Sequence, residues 1–418
     1  MMSVIALRHH PRVASLGTAE ARARSVRRRV GATWALLFFN TLTYFPTGLL
    51  HLPSHIGKGL TNAALPLALL VALSVNPKVR LRPNVFLCLV CLLALDAVIT
   101  SPSVGHLGTA YRTFRLIEFL ATLWLLTPWW GRQDMLLLRY QLRCLYVALG
   151  SVLLGLLIAP HRALHGRLNG VIWSMTPTQV GQYGAVTAGV TVMFWLAHRV
   201  SGRATLVGVT FAVALLLLTH TRTALLGLVL GLLVAGLSLF TINARVRKFF
   251  AAGMAIVLIG IVTVSGVVTT WLARGQNAQG LASLTGRTNF WALVLTEPRT
   301  RFQEIFGFGL SNASIDGLPI DSNWFASYQQ EGLFGVVVCA MMLLWLIVTA
   351  FFQPRGIRRA LALFLITYCT VASFTEDAFT DVSTYLLQLV VAASLLVAPL
   401  YGSGDPHAVS ASLQEPRD

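Results

Sequence analysis

The chain has 418 residues, 56% of them hydrophobic and 11% charged, with a mean hydropathy of +0.70. A soluble domain carries roughly 25% charged residues, so the composition excludes an ordinary water-soluble globule and predicts an integral membrane protein. The formal net charge of +17 would suit a nucleic-acid binder, but its distribution assigns most of it to membrane topology.

A helix needs about 20 apolar residues to cross the hydrocarbon core. On that scale the sequence predicts an all-α fold of about twelve transmembrane helices. Their centres lie near Thr41, Val71, Leu92, Leu120, Leu153, Val186, Val213, Leu230, Ile259, Leu343, Leu365 and Val390, and the fourth, Phe114 to Thr127, is short. Residues 1–32 read as a basic, disordered cytoplasmic tail. The first apolar run lacks a small-residue cleavage site, so it is expected to be a retained anchor. Spans one to nine fill 33–271, one large extracytoplasmic loop fills 272–322, spans ten to twelve fill 323–400, and 401–418 reads as a disordered cytoplasmic tail. The five cysteines fall within spans in odd number. The Cys88–Cys91 pair has CxxC spacing, but inside an apolar helix packing is the expectation, with no disulfide or zinc framework.

With the N-terminus inside, cytoplasmic segments hold 22 of the 32 Lys and Arg, and each short inner connection carries two or three, as in NPKVRLRP, NARVRKF and QPRGIRR. That is the positive-inside pattern, and it places both termini in the cytoplasm. Ten cations remain outside, where orientation does not explain them: Lys58, Arg112, Arg115, Arg162, Arg167, Arg222, Arg274, Arg287, Arg299 and Arg301.

A charge at the bilayer centre costs about 2.5–3.5 kcal/mol on insertion scales, and less near an interface. For Arg115, snorkelling or an ion pair with Glu118 one turn along is the simple reading. Arg222 differs. It sits in the tight turn Thr219-His220-Thr221-Arg222-Thr223 between two apolar runs. A turn that polar and that short suits an outward-facing cavity better than lipid.

The long loop contains GRTNFWALVLTE, with Phe290, Leu293 and Val294 at helical spacing and Trp291 beside them. This predicts a short amphipathic helix at the interface. Pro298 ends it, Gly307 to Gly309 permit a tight turn, and Asp321 or Ser322 is a suitable cap for the next span. Glu331 lies about 12 Å into that span, at 1.5 Å per residue from Asn323. A carboxylate at that depth needs a partner or a wet cavity. Pairing an arginine and direct chemistry are both open to it. Glu376, Asp377 and Asp381 share one turn; three carboxylates suit a divalent cation, but a solvated turn is the expectation.

Four stretches together resemble the O-antigen ligase and polymerase superfamily, bacterial membrane glycosyltransferases acting on undecaprenyl-pyrophosphate-linked sugars. They are RLNGVIWSMTPTQVGQYG, THTRTALLG, GRTNFW with Pro298 and GFG, and DSNWFASYQQEGLFG. The likeness covers roughly residues 167–335. It departs from the ligase pattern where a histidine is expected before asparagine, because Ser322 stands there before Asn323 and the long loop has no histidine. Polymerase members more often carry an acidic or amide residue at that place, which Asp321 fits.

The resemblance implies a GT-C-like architecture in the cytoplasmic (inner) membrane and a polymerase joining lipid-linked repeat units into a cell-surface polysaccharide. O-antigen-ligase-type transfer to a lipid or protein acceptor is the alternative, and a polysaccharide or lipid transporter the second. It implies that Arg222, Arg287 and Arg167 clamp the pyrophosphate, since guanidinium forks match phosphate oxygens and stay charged. Asp321, then Glu331, then His220 are the candidate bases. Asn323, Trp291, Gln179 and Arg115 are the candidates for substrate binding. Neither a metal nor a cofactor is implied. The expected partners are the lipid-linked oligosaccharide, a glycan acceptor, the bilayer and a chain-length regulator, with no nucleic acid.

Overall fold

The computed structural model describes residues 11–42, 44, 48–49, 53–104, 107–240, 244–249, 251–253, 287–310, 314–315, 318–376 and 379–398. Among these the chain is a helix bundle. Its helices are α1 (Pro11–Asn40), α2 (Ser54–Val75), α3 (Val85–Val104), α4 (Leu107–Leu126), α5 (Leu136–Ile158), the short α6 (Pro160–Ala163), α7 (Pro177–Leu196), α8 (Gly202–Leu218) and α9 (Arg222–Phe240). Within the long loop lie α10 (Arg287–Thr296) and α11 (Arg301–Phe306), and after it come α12 (Asn323–Phe352), α13 (Ile357–Ala372) and α14 (Thr384–Leu396). The described strands, β1 (Ser314–Ile315) and β2 (Leu318–Pro319), form one small antiparallel hairpin. Among the described residues four helices, α2, α5, α9 and α12, are long and apolar enough to cross a membrane.

Ten of the twelve expected centres fall inside these helices, Thr41 falls one residue beyond α1, and Ile259 lies outside the described residues. Two boundaries differ from the sequence reading. Helix α1 runs back to Pro11 through the segment read as a disordered tail; its Ala and Arg residues are good helix formers. The expected short fourth span is a helix of 20 residues, because it starts at Leu107, before Arg112 and Arg115. Those two arginines depress the local hydropathy without breaking the helix.

Helix α7 lies at the centre, packed by α5, α8, α9 and α13, and α14 is buried along its whole length. Small residues let these backbones approach, as membrane helix packing requires. The Phe364 ring of α13 sits where a Cβ on Gly189 of α7 would collide with it, and 2.8 Å from a Cβ on Gly231 of α9. Buried side-chain bonds fix other neighbours: Trp34 Nε1 of α1 donates to Gln141 Oε1 of α5 at 2.9 Å, and Thr384 Oγ1 of α14 donates to Gln182 Oε1 of α7 at 2.9 Å. Cys91 accepts a bond from Trp124 Nε1 at 3.3 Å, and all five cysteines are free.

The feature that most shapes the site is a break in α12. Gly332 has φ +63°, so the helix is interrupted one residue after Glu331. The break takes the Gln329 and Gln330 carbonyls out of the regular ladder. They accept instead from the Phe308 N–H at 3.0 Å and the Gly309 N–H at 2.8 Å. The Gly307 to Gly309 turn foreseen from the sequence is thus the piece that closes the break. Gly307, at φ +72°, and Gly332 lie so close to the opposing backbone that a Cβ on either would strike a main-chain carbonyl.

Gly332→Ala is expected to cost about 1–3 kcal/mol through the left-handed backbone alone, with the collision added to it. It should lower the melting temperature of the purified protein clearly. Gly356→Ala, where a Cβ meets nothing within 4 Å, is the control and should leave the melting temperature nearly unchanged. Equal melting of the two variants would show that the break is not locked.

Candidate functional site

The candidate site residues gather mainly at one end of the bundle, around the Thr219–Thr223 turn. Helix α8 ends at Leu218, His220 takes the left-handed conformation at φ +51°, and Arg222 opens α9. Arg167, 55 positions earlier, reaches this turn. Its Nε donates to the Thr219 carbonyl at 2.8 Å and an Nη to Thr221 Oγ1 at 3.1 Å. Thr219 Oγ1 and Thr221 Oγ1 are 2.9 Å apart, and the Thr221 hydroxyl also reaches the Pro177 carbonyl at the start of α7. The turn is therefore braced by an arginine on one side and by α7 on the other. Arg222 and His220 are half-buried there.

Further bonds join this turn to the later helices. Thr375 Oγ1 donates to Thr223 Oγ1 at 2.8 Å. The Asn323 N–H donates to the Ser373 carbonyl at 2.9 Å, and Asn323 Oδ1 accepts from the Phe379 N–H at 2.7 Å. The described residues from 373 to 379 thus tie the start of α9 to the start of α12. Asn323, expected to bind substrate, is fully buried, and its amide oxygen holds this segment.

The other candidates fall as follows. Asp321 is half-buried two residues before α12. Ser322 takes the N-cap position with extended backbone, but its side chain makes no capping bond. Glu331 is fully buried beside the Gly332 break. Gln179 completes a capping box at the start of α7, its Oε1 accepting from the Thr176 N–H while Thr176 Oγ1 accepts from the Gln179 N–H. Arg287 opens α10, but its side chain lies outside the described residues, as do Asp377 and the loop before 287.

Trp291 stacks on Phe325 of α12, with ring centroids 4.9 Å apart and planes at 12°. Val294 is buried against Ile320 and Ala326, whereas Leu293 is 43% exposed. The expected helix over Phe290 to Val294 exists, but it docks on α12 through Trp291 and Val294, one turn apart. Of the expected apolar set, Val294 and the neighbouring Trp291 face α12, whereas Leu293 faces away from it.

Arg115 also behaves differently from expectation. Its Nε donates to Asn40 Oδ1 at 3.1 Å, and an Nη reaches the Asn40 carbonyl at 3.2 Å and the Val382 carbonyl at 3.5 Å. It neither snorkels nor relies on Glu118; it clips α4 to the end of α1 and to the start of the last helix. Arg112 lies 3.8 Å from Asp381, so this carboxylate of the expected solvated turn is ion-paired.

Two residues were given no role from the sequence, although Arg299 stands among the ten outer cations. Arg299, whose side chain is 5% exposed, lies over the Tyr328 ring at 4.3 Å and the Phe308 ring at 5.0 Å. It donates to the Tyr328 and Val294 carbonyls, both at 3.0 Å, and to Gln329 Oε1; Gln329 Nε2 in turn donates to Glu297 Oε2 at 3.0 Å. The sequence signal was the Glu297-Pro298-Arg299 run beside the expected helix end. Asp96 is the second: both carboxylate oxygens are buried in α3 without a hydrogen-bond partner among the described residues. Its signal was a lone acid within LLALDAVIT.

In comparisons with known proteins, the chain matches no protein-family model and no curated protein.

Arg299→Ala removes a buried fork that serves two carbonyls and an amide. At about 1.5–3 kcal/mol for each charged hydrogen bond, less what relaxation recovers, the loss should exceed that of a surface arginine variant such as Arg203→Ala. Hydrogen exchange over 294–300 should accelerate in the variant. Unchanged exchange there would remove Arg299 as the anchor of α10.

Proposed function

We propose that this chain is a membrane glycosyltransferase that polymerises lipid-pyrophosphate-linked oligosaccharide repeat units into a cell-surface polysaccharide. It acts at the outer face of the cytoplasmic membrane, in a GT-C-like bundle of about twelve spans with both termini inside. The observation that carries this reading is the bonding of Arg167 to the Thr219–Thr223 turn. Two arginines far apart in sequence meet in one braced polar turn, and that turn is linked through Thr375 and Ser373 to the beginning of α12. These are the stretches on which the family resemblance rests.

In the reaction, an acceptor hydroxyl attacks the anomeric carbon of the lipid-linked glycan. The new glycosidic bond forms as the bond to pyrophosphate breaks, and the lipid pyrophosphate leaves with the electron pair. The hydroxyl proton passes to a base, for which Asp321 is the first candidate. The leaving group's charge falls to Arg222 and Arg287, while Arg167 spends its Nε and one Nη on the turn and so positions Arg222. Preorganised charge of this kind, shielded from water, is often the largest catalytic contribution. O-antigen-ligase-type transfer uses the same donor chemistry with another acceptor.

One observation favours the transporter reading. Transporters build substrate sites from interrupted helices near the midplane, and α12 is interrupted at Gly332. Here the freed carbonyls already accept from the chain's own Phe308 and Gly309 N–H groups, so the break is closed by the chain itself.

The test is a deletion strain from which lipid-linked glycans are extracted and sized. A polymerase predicts single repeats accumulating on the carrier with no polymer. Full-length chains stranded on the carrier indicate a ligase, and unchanged carrier pools sink the glycosyltransferase reading. Complementation with Arg222→Lys should lower polymer output on the order of 10²-fold while protein level holds. Near-normal output would remove Arg222 from the mechanism.

A further inference from the structure

The end of the bundle opposite the Thr219–Thr223 turn carries a feature that the proposed reaction does not use. Helices α1 and α5 enclose a cleft of about 250 Å³ lined by Arg24, Arg27, Arg28, Arg139 and Arg143, with Asp134 the one carboxylate in the lining. The three α1 arginines lie twelve to sixteen residues before Asn40, so they are roughly 18–24 Å along the helix from the end that Arg115 clips. This separates the cleft from the candidate site.

The walls are held in place. Tyr140 Oη donates to the Arg27 carbonyl at 2.6 Å, bracing α5 against α1. Arg143 is poised over the Tyr140 ring, 5.6 Å from its centroid. Asp134 does little to neutralise the group. It accepts from Arg132 at 3.2 and 3.4 Å and lies 3.9 Å from Arg27, so its charge is already shared between two guanidinium groups.

Positive-inside topology explains why arginines occur at this end of the spans. It does not require five of them to converge on one concave surface, where their mutual repulsion is unfavourable. An anion in the cleft removes that repulsion, and guanidinium forks match phosphate oxygens in a two-bond geometry that lysine lacks. Basic pockets between membrane helices bind phosphate headgroups for this reason. The volume is below the roughly 300–1,000 Å³ of sites for drug-sized ligands, so it accommodates a phosphate group and its immediate attachment.

We infer that the α1–α5 cleft is a binding site for a phosphate-bearing anion, supplied either by a lipid headgroup or by a soluble phosphate compound. The site is independent of the glycosyltransferase reading.

The experiment uses the full chain in two arms. In the first, protein in nanodiscs of neutral phosphatidylcholine is titrated calorimetrically with inorganic pyrophosphate. In the second, protein extracted from bilayers containing phosphatidylglycerol is weighed by native mass spectrometry to count retained anionic lipid. Arg139→Gln with Arg143→Gln removes two forks and two charges. Arg139→Lys with Arg143→Lys keeps the charge that guides insertion and removes only the forks.

Saturable pyrophosphate binding in neutral discs identifies a soluble anion, and retained phosphatidylglycerol without it identifies a headgroup. In either case the Gln pair should weaken binding at least tenfold and the Lys pair by less. Because Arg167 and Arg222 also carry charge at the other end, localisation rests on these variants. Binding in neither arm overturns the inference. So does a Gln or Lys pair that binds as tightly as the wild type.

Discussion

The break in α12 is the constraint around which the loop side of this protein is arranged. A bilayer offers no water to satisfy main-chain groups, so a spanning helix can be interrupted only where protein supplies the missing partners. At Gly332 those partners are the Phe308 and Gly309 N–H groups. The long loop is therefore committed to α12 by main-chain bonds. Arg299 adds a second attachment one turn away, through the Tyr328 carbonyl and the Gln329 amide, and the Trp291–Phe325 stack adds a third. Helices α10 and α11 are held at the start of α12 by this set, which keeps the Arg287 end of α10 attached to the helix that carries Asn323 and Glu331.

The same requirement explains how the polar residues at the turn end are used. Arg115, Asn40, Asn323, Thr221, Thr223 and Thr375 all spend side-chain atoms on main-chain groups or on one another. Each joins segments distant in sequence. Such ties fix helix ends that short apolar side chains cannot, because apolar contact is non-directional and hydrogen bonds specify position. A rigid frame of this kind is what the proposed phosphate clamp would need, since a misplacement of about 1 Å can cost on the order of 10²-fold in rate.

Much of the bundle was legible in the sequence because long apolar runs leave few alternatives. Hydropathy located helices at Val71, Leu92, Leu153, Val186 and Leu343 without reference to their neighbours. It failed where charge and helix coincide. Arg112 and Arg115 hid the first turns of α4, and the arginines of the basic leader hid the N-terminal half of α1. The loop helix was legible as a helix, but its docking face was not. Periodicity marks which residues share a side, whereas the choice between Leu293 and Trp291 depends on Phe325, 34 residues away. Arg167 and Arg222 were grouped on the strength of a resemblance; their shared turn is a long-range contact that local pattern does not encode. The break at Gly332 was equally hidden, because a glycine after Glu331 looks alike in a straight helix and in a broken one.

The arginines at the turn end divide by what their forks already hold. Arg299 lies between two aromatic rings and donates to two carbonyls and an amide. Arg115 donates to the side-chain amide and the carbonyl of Asn40 and to the carbonyl of Val382, in two other segments. A guanidinium engaged in this way acts as a structural cross-link, and releasing it to meet a ligand would orphan buried acceptors at about 1–3 kcal/mol each. Exposure and sequence position do not separate such an arginine from a ligand-binding one, because both are cationic and both lie near helix ends. Bond partners do. Arg167 sits between the two kinds: its bonds end on the turn that presents Arg222, so its charge and its bracing act on the same few atoms. That coupling makes the turn a cationic unit with a fixed shape, which neither arginine would form alone.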